Sequence, residues 1–288
     1  MLSAQSQILP SSPKLGFGAS ITPAYDGWYD NADGSHTFLV GYYNRNWTEE
    51  SDVPVGPNNK FEPGDPDRGQ PTHFLPNRAF GMFTITVPKS FGPTDRLWWT
   101  LTLNGVTSKV GLVLSPDYNI TPQRSSEEAP NGKYNVPPML RFTDGGPAVQ
   151  SPVANVASAI AKTATVGTPM PLEIFTEDDA LYTSGTNAPM NRNPPVVTAM
   201  VTKYRGPGSV KVEGFKPFET VKGGKPMEPY AGKATGTVTF GAPGDYILHV
   251  TLNDYSGPGG GATDCCWTNA MIKVNVKAAN TARTTGQQ

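Results

Sequence analysis

The sequence predicts an all-β protein built of two β-sandwich domains, and three observations carry that expectation. Gly 31 and Pro 29 together supply a fifth of the 288 residues, so turns and fixed backbone geometry are frequent. Charged residues make up only 16%, too few for an array of solvated helical faces. Apolar residues recur with period two along most of the chain, and no sustained helical period separates them.

The elements follow in chain order. Residues 36–43 form a strand leaving the Asp33-Gly34 dipeptide, which reads as a type I′ hairpin turn. Phe83, Ile85 and Val87 alternate with polar residues, and in 96–104 Leu97, Trp99, Leu101 and Leu103 share one face while Trp98, Thr100 and Thr102 share the other. Asn104-Gly105 takes positive φ at low cost, and Val110, Leu112 and Leu114 follow it, which makes 96–115 a hairpin. Further strands are expected at 170–175, 196–204, 209–213, 234–240, 245–253 and 268–276. In the last of these, Ile272, Val274 and Val276 carry Ala270, Thr268 and Cys266 to the core side and leave Cys265 and Trp267 facing outward. The Gly-, Ala-, Ser- and Pro-rich stretch 144–167 holds a linker near 148–153. Residues 155–162 fit either a short helix or an unstructured connector. The expected domains are 15–148, carrying a long proline-rich loop at 47–77, and 151–278, with a disordered polar tail at 279–288.

Lys+Arg 23 against Asp+Glu 24 gives a net charge of −1, which excludes a strongly basic nucleic-acid binder. No run approaches the roughly 18–20 apolar residues of a membrane span. The first 18 residues lack the apolar centre of a signal peptide but are small and Ser-, Gln- and Pro-rich, as a mature N-terminus is after cleavage. The expected location is therefore extracellular or periplasmic, with the signal peptide absent from this chain. The two cysteines, Cys265 and Cys266, are adjacent; their Cα atoms lie about 3.8 Å apart, below the usual disulfide range. They read as two thiols on opposite strand faces or as a vicinal disulfide. With only His36, His73 and His249 besides, the spacing of a tetrahedral zinc site is missing. No Gly-x-Ser-x-Gly elbow and no Walker loop occurs.

Gly206-Pro207-Gly208, Thr237 to Phe240, Pro243-Gly244-Asp245-Tyr246-Ile247-Leu248-His249-Val250 and Asn253-Asp254 resemble the closing strands of bacterial immunoglobulin-like domains of the PKD type. The likeness covers 151–278 and implies an immunoglobulin-like sandwich, with Tyr246 placed as a tyrosine corner. It implies spacer, adhesion or accessory roles. The Asp264-Cys265-Cys266-Trp267 run departs from it. The first half resembles uncharacterised exported bacterial proteins through Gly27-Trp28-Tyr29, Asp33-Gly34-Ser35, Gly41 to Asn46 and Pro71 to Pro76, and supplies no catalytic residue.

The binding residues are expected in and beside the 47–77 loop. Six prolines lower its ordering entropy, and Asp65, Asp67, Arg68, His73 and Arg78 offer directional polar groups. Tyr43, Asn44, Arg45, Asn46 and Trp47 join aromatic faces to amide and guanidinium donors, the combination that stacks on sugar rings and bonds their hydroxyls. Alternation requires one of Tyr42 and Tyr43 to be core. The expected function is non-catalytic binding or adhesion, with a glycan or surface protein as partner and no cofactor other than a candidate calcium ion at Asp30 and Asp33 or at Asp178 and Asp179. The alternatives are a carbohydrate-active hydrolase using carboxylates among Glu49, Glu50, Asp52, Glu62, Asp65 and Asp67, and a structural cell-envelope module.

Overall fold

The computed structural model describes residues 15–124, 134–152, 155–181, 195–216, 218–225, 228–254 and 266–279. The described strands are β1 (Ile21–Asp30), β2 (His36–Asn44), β3 (Ser51–Asp52), β4 (Asn59–Glu62), β5 (His73–Phe74), β6 (Asn77–Val87), β7 (Leu97–Leu103), β8 (Val106–Leu112), β9 (Met139–Arg141), β10 (Ile160–Thr165), β11 (Met170–Asp178), β12 (Val197–Arg205), β13 (Val210–Gly214), β14 (Glu219–Lys222), β15 (Tyr230–Phe240), β16 (Gly244–Asp254) and β17 (Trp267–Lys277). No α-helix occurs among the described residues, and none is therefore long and apolar enough to cross a membrane.

In the first half, the sheet β1-β2-β6 faces the sheet β4-β7-β8. Phe38, Val40, Tyr42, Phe83 and Ile85 from one meet Phe61, Leu97, Trp99, Leu101 and Leu112 from the other, all buried. Trp99 sits at the centre, stacked on Phe61 at 5.5 Å and edge-on to Phe83 at 5.3 Å. Its Nε1–H donates to Asn59 Oδ1 at 3.0 Å, so the indole is buried without an orphaned donor. Asn104 and Gly105, at φ 51° and 76°, form the two-residue turn between β7 and β8 that the dipeptide predicts. The Asp33-Gly34 turn differs: five residues, 31–35, join β1 to β2, because Asn31 N–H bonds to Ser35 O and Asp33 Oδ1 accepts from Ser35. β1 escapes sequence alternation because its register shifts between Tyr25 and Gly27.

The second half packs the sheet β10-β17-β16-β12 on β13-β15-β11-β9, with β14 also on β15. Its core includes Leu140, Leu172, Ile174, Val238, Phe240, Tyr246, Leu248, Val250, Ile272 and Val274. Tyr246 Oη–H donates to Ala242 O at 2.9 Å, four residues upstream, which is the corner its position predicts. β10 runs parallel to β17. Of residues 155–162, 156–158 form a short 3-10 helix, capped by Asn155 accepting from Ala157 N at 2.7 Å, and the rest is not a connector, since β10 starts at Ile160. Met139–Arg141, before the expected linker, pairs with β11.

The outward face of β17 differs most from expectation. Trp267 is 1% exposed and packs with Tyr29, Leu39 and Ile120 of the first half. Period two defines two faces and does not say whether the second is wet; here the first sandwich covers it. Gly81, at φ +50°, lies where Trp267 comes closest, and a Cβ there would stand 2.6 Å from the indole. Met271 and Tyr204 join the first half's core, and Asn269 Nδ2–H donates to Gly81 O at 2.6 Å and Pro152 O at 3.0 Å. His249 lies in the same layer, stacked on Tyr204 at 5.9 Å and fully buried. Cys266 is buried and disulfide-bonded; Cys265 and all but the first residue of the expected 279–288 tail lie outside the described residues.

Trp267→Ala removes the filling of this interface and is expected to cost about 3–5 kcal/mol, measured by urea unfolding. Burial lowers the His249 pKa to about 4 from 6.5. The unfolded chain takes up a proton below pH 6.5 while the folded chain does not, so stability is full above that value and falls as pH drops toward 4, by up to about 3 kcal/mol. His249→Gln should remove that part of the pH dependence when urea midpoints are compared between pH 4 and 7.

Candidate functional site

The 47–77 segment is ordered and lies at the joint of the two halves. Its backbone forms β3 against β5 and adds β4 to the sheet of β7, and Asn59, buried, ties it together by donating from Nδ2 to Val53 O at 2.9 Å and Pro71 O at 2.8 Å. β12 then grips it from the second half. Arg205 donates to Asp67 Oδ2 and Oδ1 at 2.9 and 2.7 Å and to Gln70 O, from Nε and Nη2, at 2.8 and 2.6 Å. Tyr204 Oη–H donates to Gly69 O at 2.6 Å, and Thr72 N–H donates to Tyr204 O at 3.1 Å. The Arg205 hydrogen bonds hold the Asp67 carboxyl below its ordinary range, against its partial burial.

A cleft of about 510 Å3 opens beside this grip, lined by Glu50, Asp52 and His73 on one side and by Lys203, Pro207, Gly208 and Ser209 on the other. His73 is buried between two carboxylates, with Nε2 at 3.2 Å from Glu50 and Nδ1 at 3.0 Å from Asp52. Lys203 Nζ completes the row at 3.0 Å from Asp52. His73, Glu50, Asp52 and Lys203 are thus engaged by one another, so the cleft is the polar seam of the joint.

The remaining loop residues also bond locally. Asp65 Oδ1 accepts from Asp67 N at 3.0 Å, and Arg68 turns back to Pro63 O at 3.3 Å. Glu49 accepts from Gly18 N at 2.5 Å, and Glu62 is bound by Lys109 at 2.9 Å and Lys60 at 3.0 Å, which lower its pKa. A glycosidase acid needs a carboxyl held up in its protonated form, whereas Glu62 and Asp67 are held down. Asp30 bonds to His36 at 2.7 Å, and Asp33 is lowered by Ser35 hydrogen bonds, so both serve the 31–35 turn. Among the described residues no three His, Cys, Asp or Glu side chains gather as a metal-ligating group.

The residues at the end of β2 divide by face. Asn44 and Asn46 are buried, and Asn46 Nδ2–H donates to Asn44 Oδ1 at 2.9 Å and to Ala19 O at 3.2 Å, fixing residues 15–19 alongside 45–48. Tyr42 is core, its Oη accepting from Leu75 N at 2.9 Å. Tyr43 stands on the other face and pairs in register with Arg78 of β6. Two guanidinium–ring stacks result: Arg45 lies over Tyr43 at 4.9 Å, and Arg78 over Phe80 at 4.0 Å. The Arg45 guanidinium makes no hydrogen bond or ion pair among the described residues. Arg78 is pinned by Asp26 and by Tyr42 O at 3.0 Å, and burial raises the Asp26 pKa against the opposing pull of Arg78. Gly41 leaves the space this pair occupies; a Cβ there would meet Asp26, Arg78 and Ala79 O. Trp47, two residues after Arg45, is 55% exposed, and Phe17 is exposed as well. Phe80 and Asp26 had no place in the sequence-based site, although Arg78-x-Phe80 repeats the same-face spacing of Tyr43-x-Arg45.

No protein-family model matches the chain, and no curated protein matches it. Among solved structures it is similar to domains 4 and 5 of the S-layer protein SbsC, at 11% identity over 90% of this chain and 98% of that one, with TM-score 0.22. It is also similar to the C-terminal domain of the Streptococcus pyogenes antigen I/II-family protein AspA, at 10% identity over 88% and 98%, TM-score 0.22. A third is CfaE, the adhesive subunit of the CFA/I fimbria of enterotoxigenic Escherichia coli, at 8% identity over 94% and 81%, TM-score 0.22. Likeness at this level carries over no residue role and no activity.

Arg205→Ala leaves Asp67 and the Gln70 carbonyl without their shared donor. It is expected to cost about 1.5–3 kcal/mol and to open the 47–77 segment to limited proteolysis, read by the mass of the first fragments.

Proposed function

We infer that the protein is an exported, non-catalytic binding or adhesion module. Its open β2–β6 end meets a glycan or protein of an extracellular surface, and the second sandwich, as a PKD-type immunoglobulin-like domain, serves as its fixed support. The paired Arg45–Tyr43 and Arg78–Phe80 stacks on one sheet face carry this reading. Each guanidinium lies over a ring, which restricts its planar donors before a ligand arrives, and hydroxyl or carboxylate oxygens are the acceptors such donors suit. Trp47 adds an exposed indole two residues after Arg45. The engagement of Asp67 by Arg205 and of Glu62 by two lysines speaks against the hydrolase alternative.

A structural envelope role is the second reading, favoured by the grip of β12 on the proline-rich segment. Reversible self-association in light scattering without added partner would favour it over ligand binding.

Arg45→Ala and Trp47→Ala should each weaken binding about tenfold or more, equivalent to about 1.4 kcal/mol, with little change in Tm. A glycan array, then titration of the best hit, measures this; undiminished binding by both variants would remove the strip from the site.

A further inference from the structure

The outward face of β4, β7 and β8 carries an aromatic ring that the core does not use. Trp98 stands between buried Leu97 and Trp99 and is 37% exposed. In register it lies between Glu62 of β4 and Gly111 of β8, and the next outward row is Lys60, Thr100 and Lys109. A Cβ at Gly111 would stand 3.0, 3.2 and 3.2 Å from Cζ3, Cε3 and Cη2 of the indole. Three adjoining ring atoms so nearly equidistant mean that the ring turns its face, not its edge, to the strand. Gly111 does not have the left-handed φ that favours glycine, and glycine inside a strand weakens it; what it allows here is the flat seat of Trp98. Lys109 Nζ lies 4.6 Å from the ring centre and donates to Glu62 Oε1 at 2.9 Å, while Lys60 Nζ donates to Glu62 Oε2 at 3.0 Å.

An indole laid flat on a sheet, with donors and an acceptor around it, suits a sugar: the C–H face of a pyranose stacks on the ring, and its hydroxyls reach the polar groups beside it. Two lysines against one carboxylate leave a surplus positive charge at the ring, which complements an acidic sugar. We propose that this face binds an acidic polysaccharide through its uronate units, with one pyranose on Trp98, its carboxylate toward Lys109 and a hydroxyl donating to Glu62. The Lys109–Glu62 pair is a surface one, so turning the ammonium to the ligand costs little. Tyr43, Arg45 and Arg78 belong to the opposite sheet of the first half, so this site neither includes the β2–β6 strip nor depends on its role.

The test uses the full chain and two matched probes, a hexamer of β-linked glucuronate and the corresponding hexamer of glucose. Calorimetric titration at low salt should show the glucuronate hexamer binding about tenfold or more tighter than the glucose hexamer, a preference that shrinks as salt is raised. Trp98→Ala should weaken glucuronate binding about tenfold or more with little change in Tm. Gly111→Ala should weaken it by tilting the ring, and Trp98→Tyr should retain most of it. In proton–nitrogen spectra the indole N–H of Trp98, identified by its loss in Trp98→Ala, should shift as the glucuronate hexamer is added. The proposal is overturned by absence of glucuronate binding, by glucose binding as tightly, or by binding undiminished in Trp98→Ala. A shift confined to the Trp47 indole overturns it in favour of the β2–β6 strip, and self-association abolished by Trp98→Ala, with no sugar bound, overturns it in favour of a contact between copies of the chain.

Discussion

Every guanidinium nitrogen of Arg205 is committed to the 47–77 segment, two to the Asp67 carboxylate and two to the Gln70 carbonyl, with Nη2 serving both. The rest of the molecule depends on this one side chain's geometry. A proline-rich segment cannot satisfy its carbonyls through a regular ladder, since each proline removes a donor. β12 supplies the donors instead: Arg205 to Gln70, and Tyr204 to Gly69. The bidentate pair is planar and directional, so it fixes orientation as well as distance. Around it Trp267 packs with Leu39, and Met271 and Tyr204 join the first half's core, so the two sandwiches share an interface that is polar at its seam and apolar behind it.

This constraint reassigns the chemistry of the first half. Aspartates, an arginine and a histidine crowded into a long loop suggest a ligand site, yet Asp67, His73 and Asp52 are engaged by one another or by Lys203 and Arg205. What the joint leaves part-exposed is the face of β2 and β6 that carries Tyr43, Arg78 and Phe80. There Arg78 is oriented by Asp26, while Arg45 lies over the Tyr43 ring. In the proposed binding role, donors whose rotamers are already restricted would lower the entropy lost when a ligand arrives.

Much of the fold was legible because alternation is a local signal. Leu97, Trp99 and Leu101 are buried as period two requires, the Asn104-Gly105 turn has both φ angles positive, and Tyr246 makes its upstream bond. β1 and β4 were not legible, since Pro23, Asp26 and Gly27 interrupt one and flanking prolines disguise the other. Trp267 was misplaced for a different reason: the face it occupies is determined by a partner sheet more than 220 residues earlier in the chain, at Leu39 and Tyr29. The site was partly legible for the same reason. Tyr43 and Arg45 announce themselves by spacing, whereas the engagement of Asp67 depends on Arg205, 138 positions later, and no local pattern encodes that pairing.

The central claim is that the polar loop is a joint that makes the two sandwiches one rigid body. Residual dipolar couplings from backbone amides of both halves, collected on the full chain in one alignment medium, test it directly. A single alignment tensor fitting residues of β2, β6 and β7 together with β11, β15 and β16 is the predicted result. Two tensors of different magnitude or orientation would contradict it and return the loop's polar groups to the solvent.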